Sequence, residues 1–438
     1  MLSAGLWNCY ESAIGLPAIY GSLDVHASMR GDQARMEMAL RLQAQVRYFG
    51  ARADALPEWK EAARIQDPLD LISVWSYLPI LTRQDMNTRF SAAEIQKRFG
   101  IAGIVSQTGG STGEPTGYLH DKKMLQASTA ARSYCRIRAG WRPGMKTISI
   151  WGSDRDIGKA SSLRNRISGR LRNEWIVGGY KLSQETTDRV VELIGQKQQV
   201  AIYGFSSMLE FVARDILERG IHIRSGAVAA AWNGGEMLYP RQSELFELAF
   251  GVPLLNLYGS RELSAMAYQN RLGQGLRVLR PLHYLEIVND DNRPVGVGET
   301  GRLLWTSTVC RGTPLLRYEC GDLGCYEAGG VDESGIREIA ELRGRSAGLI
   351  EINGKIINGL FWNHLFKDYP EIEQFQVAVK SGRALELRLK GKTFSKDQEV
   401  RLRFLLNEIT GSAPVSLRWV DQLIRSKQGK LEQVLREE

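Results

Sequence analysis

Glycine and hydroxyl side chains are concentrated in one short stretch of the chain, Ser106–Gly117. Its four glycines leave many backbone N–H groups accessible, and its serines and threonines add further donors, which is the chemistry that wraps a polyphosphate. No Gly-Lys-Ser/Thr sequence ends the stretch, so it is not a Walker loop. On composition alone, a phosphate-binding loop and a solvated loop remain equally open.

Further segments with acidic, aromatic and basic side chains follow in a fixed order: Leu257–Glu262, Arg317–Gly324, Leu342–Arg345 and Ile424–Lys430. Together with the glycine-rich stretch, they resemble the ordered motifs of the adenylate-forming superfamily, which includes acyl-CoA synthetases, peptide-synthetase adenylation domains and luciferases. In order, the five segments resemble that family's phosphate loop, its Tyr-Gly-x-Thr-Glu and Tyr-x-Thr-Gly-Asp segments, its hinge, and its terminal Pro-Arg-Thr-x-x-Gly-Lys. The matches span about three quarters of the chain.

Three connecting phrases resemble one branch of that superfamily, the phenylacetate-CoA ligase and CapK branch. They are Leu78–Arg83, Ala201–Ser207 and Ile372–Gln376. Some members of this branch carry a cysteine cluster after the Gly-Asp segment. Residues 326–342 contain no cysteine, so we expect no zinc.

The resemblance implies a reaction in which a substrate carboxylate attacks the α-phosphorus of ATP, giving acyl-AMP and pyrophosphate, before transfer to CoA. Two catalytic residues are implied: Glu262, which would also hold Mg²⁺ as a hard oxygen ligand, and Lys430, which would lie between the two reacting anions. Lys427 is the alternative to Lys430, and a lysine near a chain end is often simply solvated. The phosphates would be held by Ser106, Thr108, Gly109, Gly110, Ser111, Thr112 and Gly113.

The nucleoside contacts are implied in the same way. Asp322 would accept hydrogen bonds from both ribose hydroxyls, Arg345 would add a contact to the ribose from the hinge, and Tyr258 would stack on adenine. Two plainer interpretations compete: Gly321-Asp322 as an ordinary turn, and Tyr258 as a core residue. The remaining predicted nucleotide contacts are Gly234, Gly235, Glu236, Asn256, Gly259 and Ser260.

We expect the acid to bind among aromatic side chains. The predicted contacts are Trp151, Tyr203, Gly204, Phe205, Trp232, Asn233 and Gly234. Two tryptophans and a tyrosine favour a flat aromatic or otherwise compact acid over a long fatty chain. No basic residue in these stretches clearly marks a second carboxylate on the substrate.

These residues need a scaffold, and hydrophobic periodicity predicts an α/β body with mainly parallel sheets, followed by a small mobile α+β domain. The body would contain buried strands at 147–151, 200–203, 227–232 and 254–258, with helices at 206–219 and 240–250. In the small domain, alternating apolar residues predict strands near 375–379, 385–389 and 415–419, with a helix over 397–409. We therefore predict a large domain over residues 1–343 and a small one over 344–438.

Composition limits the partners. The net charge is +8, and basic residues are interleaved with acidic ones, which suits nucleotide or coenzyme ligands and gives no reason to expect nucleic acid. Five cysteines without a Cys-x-x-Cys pair favour a reducing cytoplasm. The sequence contains no run of about 18 apolar residues, so we expect no contact with a membrane. A homodimer remains open.

Three functions remain in competition. The first is a small-acid–CoA ligase, and the second passes the activated acid to an amine or a carrier protein. The third is a non-catalytic nucleotide-binding relic, because Ala347 replaces the usual acidic hinge residue and Thr116 replaces the usual lysine of the phosphate loop.

Overall fold

A computed structural model describes most of the chain. The described residues are 15–29, 31–51, 57–107, 116–151, 173–178, 183–195, 198–271, 273–331, 337–345, 350–352, 355–357, 362, 365–366, 369, 371–380, 384–411, 413–424 and 434–437. The loop residues Thr108–Gly113 and the terminal Lys427 and Lys430 lie outside these ranges, so their predicted roles stay predictions.

The chain divides into two compact units, and the division falls between Leu342 and Arg343 for the main part of each. The domain boundary predicted between residues 343 and 344 lies next to this division. Each unit has its own hydrophobic core.

Helices form much of the first unit. They are α1 Leu16–Ser28, α2 Gly31–Gly50, α3 Pro57–Ala62, α4 Pro68–Val74, α5 Arg83–Thr88, α6 Ala92–Phe99, α7 Lys122–Arg138, α8 Gln184–Ile194, α9 Ser206–Glu218 and α10 Pro240–Phe250. The local sequence explains both ends of α10, because Pro240 occupies the first turn and Gly251 ends the helix at φ 73°. Among the described residues, no helix is both long and apolar enough to cross a lipid bilayer.

The strands of the first unit form three sheets. They are β1 Gly103–Gln107, β2 Gly117–Asp121, β3 Lys146–Trp151, β4 Glu174–Gly178, β5 Val200–Gly204, β6 Val228–Asn233, β7 Leu257–Ser260, β8 Ser264–Gln269, β9 Leu276–Val278, β10 His283–Val288, β11 Gly301–Ser307, β12 Tyr318–Val331 and β13 Arg337–Arg345. Strands β1 and β2 pair alone, and a parallel sheet has the order β4-β3-β5-β6. The seven-stranded sheet has the order β10-β11-β12-β13-β9-β8-β7.

The α/β fold class and the parallel sheet are confirmed, but the strand expected at 254–258 behaves differently from the others. Leu255 makes a single parallel bridge to Trp232 at the sheet edge. The chain then enters the seven-stranded sheet at β7, which pairs antiparallel with β8. A turn of three residues joins β7 and β8, and so short a connection allows only antiparallel pairing. The periodicity of a buried strand does not reveal this change of sheet.

The second unit is a small α+β structure. It contains β14 Ile350–Ile352, β15 Lys355–Ile357, β16 Ile372–Val379, β17 Leu385–Gly391, α11 Lys396–Thr410, β18 Val415–Trp419 and β19 Val434–Arg436. Its four-stranded sheet has the order β18-β17-β16-β19, and the apolar sides of the strands face α11 residues such as Leu402 and Leu406. Strands and helix lie where the alternating and helical patterns predict them.

Candidate active site

The predicted phosphate loop connects the two strands of a β-hairpin. Strands β1 and β2 pair antiparallel up to Gln107 and Gly117, and the loop begins at the next residue. Ser106 is opposite Tyr118 in this register, so the two side chains lie on the same face of the hairpin. The hairpin therefore fixes both ends of the glycine-rich stretch.

Asp121 anchors the end of β2 to two neighbouring segments. One carboxylate oxygen caps α7 by accepting the backbone N–H groups of Lys123 and Met124, at 2.8 and 3.1 Å. The other oxygen accepts the backbone N–H groups of Arg311 and Gly312. A single carboxylate thus determines where the hairpin leaves the body of the protein.

Glu262 lies in the turn between β7 and β8, directly beside the base of this hairpin. Its side chain is buried, with 4% of the residue exposed, and its Oε1 accepts a hydrogen bond from the Tyr318 hydroxyl at 3.1 Å. The His120 Nε2 lies 2.6 Å from the Glu262 carbonyl oxygen, and Arg261 donates to the Gln107 carbonyl at 3.3 Å. Three contacts therefore hold the turn between the hairpin and β12.

The environment of Glu262 keeps its neighbours uncharged. Burial raises the pKa of Tyr318, and the Glu262 charge raises it further, so the phenol remains a hydrogen-bond donor. The pKa of Tyr118 is raised by burial and then by Glu262. Burial lowers the pKa of His120, so its imidazole is neutral near pH 7 and can donate from Nε2 to the Glu262 carbonyl.

The donor set around Glu262 suits Mg²⁺ bound together with a nucleotide. Within the described ranges, no three His, Cys, Asp or Glu side chains converge to form a protein-only metal site. Glu262 offers one carboxylate oxygen beyond the one bonded to Tyr318. Mg²⁺ commonly uses one or two carboxylates together with substrate phosphates and water, so this carboxylate fits that ion.

The predicted adenine contacts lie on the same strand as this turn. Tyr258 is buried against Trp305, with ring centroids 5.8 Å apart, and its hydroxyl lies 3.6 Å from the Cys320 sulfur. The Tyr258 ring thus contributes to the core, while Asn256 at the start of the strand is half-buried. Gly259 occupies a bulge where a Cβ would lie 2.2 Å from the Ser264 carbonyl, so no larger residue fits there.

The remaining predicted nucleotide contacts have local structural roles or positions. The Ser260 hydroxyl accepts the backbone N–H of Leu263 and closes the turn that carries Glu262. Asp322 is half-buried in β12 and follows Gly321, whose φ of 86° departs from regular strand geometry. Arg345 is the last residue of β13, and its side chain falls outside the described part of the chain.

Aromatic rings form a row at the carboxyl ends of the parallel strands, where ligands bind in sheets of this kind. Trp151 stacks on Phe205 with centroids 4.0 Å apart and on Tyr203 at 5.1 Å. Tyr203 stacks on Trp232 at 5.7 Å. All three ring pairs are within 24° of parallel. The four predicted acid-binding rings are therefore brought together.

Glycine is required where the backbone passes this aromatic row. A Cβ on Gly234 would lie 3.0 Å from the Tyr203 hydroxyl, and one on Gly235 would lie 2.8 Å from the Phe205 ring. Gly235 also has a φ of 77°, a conformation that favours glycine. A Cβ on Gly204 would meet the Ile150 carbonyl at 2.6 Å.

Asn233 organises this edge of the sheet from a fully buried position. Its Nδ2 donates to the Ser206 hydroxyl at 2.7 Å and to the Glu236 carbonyl at 3.0 Å. Its Oδ1 accepts the Leu257 backbone N–H at 3.2 Å. Because these contacts occupy both ends of the amide, the geometry gives Asn233 a positioning role for the Gly-Gly-Glu segment.

The chain is similar in sequence to two known proteins. It is 25% identical to the CapK protein of Staphylococcus aureus over 56% of the chain and 52% of CapK. It is 25% identical to a phenylacetate-coenzyme A ligase of Thermus thermophilus over 63% of the chain and 62% of that ligase. The chain thus matches between half and two thirds of the length of these relatives. No protein-family model matches it.

Among solved structures, the chain resembles 2-hydroxyisobutyryl-CoA ligase. In the postadenylation state of that ligase with an acyl-AMP, the TM-score is 0.59 at 16% identity, with 94% of this chain and 91% of the ligase covered. In its thioesterification state with acyl-AMP and CoA, the TM-score is 0.57 at 18% identity over 93% and 90%. The chain shares the fold of this ligase. Its sequence relatives are a CapK protein and a phenylacetate-coenzyme A ligase, the branch that its connecting phrases resemble.

The structure adds two residues that the superfamily motifs did not point to, His120 and Arg136, and it gives a contact to Tyr318, the tyrosine of the segment that resembles Tyr-x-Thr-Gly-Asp. His120 and Tyr318 contact Glu262, and the Arg136 guanidinium lies over the Tyr203 and Trp232 rings. A signal existed for the first, because Tyr118 and His120 share one face of β2 immediately after the loop. Arg136 lies about 70 residues before Tyr203 in the sequence, and no local pattern connects the two.

Proposed function

We propose that this adenylate-forming protein activates a small carboxylic acid with ATP, giving acyl-AMP and pyrophosphate, and then transfers the acyl group to CoA. The observation that supports this most directly is the buried Glu262 carboxylate beside the hairpin that carries the glycine-rich loop. The carboxylate is held by Tyr318, and its turn is held by His120. A phosphate-binding loop and a Mg²⁺-binding carboxylate need this proximity in order to act on one polyphosphate.

The residues around Glu262 would act mainly by positioning. Tyr318 fixes one carboxylate oxygen and leaves the other for Mg²⁺, which when bound offsets negative charge on the β- and γ-phosphates. Arg261 and His120 hold the turn to the two strands of the hairpin. Because the protein's own groups make these contacts, they would hold Glu262 in place with little reorganisation in the transition state.

The acid would bind at the aromatic row, where the carboxyl ends of β3, β5 and β6 meet. Gly234 and Gly235 allow the backbone to run along the rings, while Asn233 holds that segment in place. Lys430 would supply positive charge between the acid carboxylate and the α-phosphate, as the superfamily resemblance implies. The cytoplasm is the proposed location, because ATP and CoA are available there and the described cysteines form no disulfide bond.

Exchange of labelled pyrophosphate into ATP, measured across a panel of small acids, tests the first half-reaction. We expect exchange with at least one acid and its loss in Glu262→Gln. Exchange that is absent with every acid, in a folded protein that binds ATP, contradicts the proposal and leaves the nucleotide-binding relic.

The acceptor is tested separately. Incubation of the enzyme with its acid, ATP and CoA is expected to give a thioester detectable by mass spectrometry. An acyl-AMP that persists with CoA but is consumed by an amine or a carrier protein would replace the CoA-ligase assignment with the amide- or carrier-ligase alternative.

A further inference from the structure

We propose that Arg136 forms a second anion-binding subsite, so that the acid activated by this protein is a compact dicarboxylic acid. The proposal rests on the acid-activating function above and defines the substrate class more closely. The subsite consists of the Arg136 guanidinium and the Tyr203 hydroxyl, both at the aromatic row. The far carboxylate of the acid would bind there while the near carboxylate is adenylated.

The Arg136 side chain lies against the rings of the row. The guanidinium carbon is 5.9 Å from the Tyr203 centroid and 5.6 Å from the Trp232 centroid. These are distances at which an aromatic face attracts a cation. Arg136 comes from the last turn of α7, so a separate element brings positive charge to the carboxyl ends of β5 and β6.

The charge of Arg136 is not neutralised within the described part of the protein. No carboxylate there forms an ion pair with it, although arginines elsewhere, such as Arg280 and Arg302, have such partners. The Tyr203 hydroxyl likewise makes no hydrogen bond to a described group. A half-buried guanidinium and a phenol are both donors, and together they fit an anion.

A second arginine extends the positive charge towards the Glu262 turn. Arg132 lies one helical turn before Arg136 on α7, and its guanidinium donates to the Ser264 hydroxyl at 3.3 Å. Ser264 begins the strand that follows the Glu262 turn. Burial raises the pKa of Tyr203 and the nearby Glu174 carboxylate adds to that rise, while the positive charges of Arg136 and Arg132 lower the pKa. Two arginines of one helix therefore contribute positive charge on this side of the aromatic row, against the carboxylate of Glu174.

The packing of the row argues against an aromatic ring inserted between its members. Such a ring would need about 7 Å between the planes of its two neighbours, whereas the observed centroids are 4.0, 5.1 and 5.7 Å apart. The acid would instead lie along the ring edges, beside Gly234 and Gly235. A short aliphatic chain between two carboxylates fits this arrangement better than a flat aromatic acid.

Pyrophosphate exchange with matched acid pairs tests the subsite. The pairs are butyrate and succinate, valerate and glutarate, and 4-methylbenzoate and terephthalate, each assayed with the unmodified protein, Arg136→Gln and Arg138→Gln. Arg138 is the control, because it ends the same helix and its charge acts on Tyr134 and Tyr268 instead. We expect the unmodified protein to prefer an aliphatic diacid, and Arg136→Gln to raise the KM for that diacid at least about tenfold.

Each other result has a defined meaning. Exchange with monoacids only, or a diacid preference that survives in Arg136→Gln, overturns the subsite while leaving the proposed function intact. No exchange with any acid overturns the proposed function itself. A KM for CoA that rises in Arg136→Gln, with exchange kinetics unchanged, would assign Arg136 to the coenzyme phosphates and would also overturn the subsite. Thermal melting of each variant shows whether it is folded.

Discussion

At the scale of single residues, the side chain on which the proposed chemistry depends most is Glu262. It is nearly inaccessible to solvent, and its hydrogen bond from Tyr318 leaves one carboxylate oxygen for another ligand. A buried carboxylate with one hydrogen-bond donor and no cationic partner in the described residues is unfavourable by itself. A nearby Mg²⁺ would relieve that cost, which links the burial of Glu262 to ligand binding.

Glu262→Gln isolates the charge of this residue. The amide has nearly the same volume and can still accept the Tyr318 hydrogen bond, so we expect a small change in the melting temperature. The exchange rate should fall by about 100-fold or more, because the negative ligand for Mg²⁺ is lost. Steady-state exchange at several Mg²⁺ concentrations is the measurement. A variant with unchanged exchange rate would remove Glu262 from the metal site.

Tyr318→Phe tests the positioning of Glu262 without removing its charge. Deleting the hydroxyl leaves the ring packing intact, and we expect about a tenfold loss of exchange rate together with weaker apparent Mg²⁺ binding. Tyr326→Phe is the matched control, because the Tyr326 hydroxyl is also buried but accepts a hydrogen bond from the backbone N–H of Ile287 and not from the Glu262 turn. Equal effects of the two variants on exchange would indicate a general loss of packing.

The buried His283 predicts how the free energy of unfolding changes at acidic pH. Burial lowers its pKa to about 4, while its Nε2 lies 3.0 Å from the Ala265 carbonyl. Between pH 6.5 and about 4, the unfolded chain binds a proton that the folded chain excludes, so stability falls as the pH falls through this window. The shift corresponds to about 3 kcal/mol at its full extent.

Urea unfolding at pH 7, 6, 5 and 4 measures this effect. We expect a steep fall in the free energy of unfolding for the unmodified protein, and a shallower one for His283→Gln. His222→Gln is the control, because His222 is exposed. A slope unchanged in His283→Gln would show that other groups dominate the acid limb, among them His120, whose pKa is lowered in the same direction.

At the scale of elements, the sequence predicted the scaffold better than the contacts on it. The helix at 240–250 was predicted with its observed bounds, and the strand predicted at 147–151 begins one residue earlier in the structure. Hydrophobic periodicity specifies such elements directly. It could not predict that the chain leaves the parallel sheet after Leu255, because a buried strand has the same pattern in either sheet.

Gly235, just after the end of β6, shows how the chain at a strand end limits the space beside the aromatic row. Gly235→Ala introduces a methyl group 2.8 Å from the Phe205 ring, at a φ of 77°. We expect a loss of stability and a raised KM for the acid, because the aromatic row must shift. Gly251→Ala has a similar φ of 73° with open space around the added Cβ, so it shares the backbone strain and lacks the clash.

Comparing these two variants separates strain from packing. Gly251→Ala should cost about 1 kcal/mol of stability and leave exchange kinetics unchanged. If Gly235→Ala behaves in the same way, the contact with Phe205 is unimportant for acid binding. The measurements are urea unfolding and exchange kinetics over a range of acid concentrations.

At the scale of the whole molecule, two units of different construction carry different parts of the proposed reaction. The first unit holds Glu262, the hairpin and the aromatic row, all of which are described by the structure. The second unit carries the terminal segment in which the superfamily resemblance implies a catalytic lysine. Sequence motifs alone identify that lysine, because the residues around it lie outside the described ranges, whereas Arg136 could be found only from the folded chain.

Lys430→Ala therefore tests the one catalytic role that depends on motif order alone. A lysine ammonium between the acid carboxylate and the α-phosphate would reduce the repulsion between the two anions as they approach, an effect confined largely to the transition state. We expect the exchange rate to fall by about 100-fold or more, while ATP binding measured by calorimetry changes little. Lys427→Ala, three residues earlier, should keep most of the exchange activity. If Lys427→Ala loses the activity and Lys430→Ala keeps it, Lys427 is the catalytic residue. If both variants keep full pyrophosphate-exchange activity, the terminal segment has no part in adenylation.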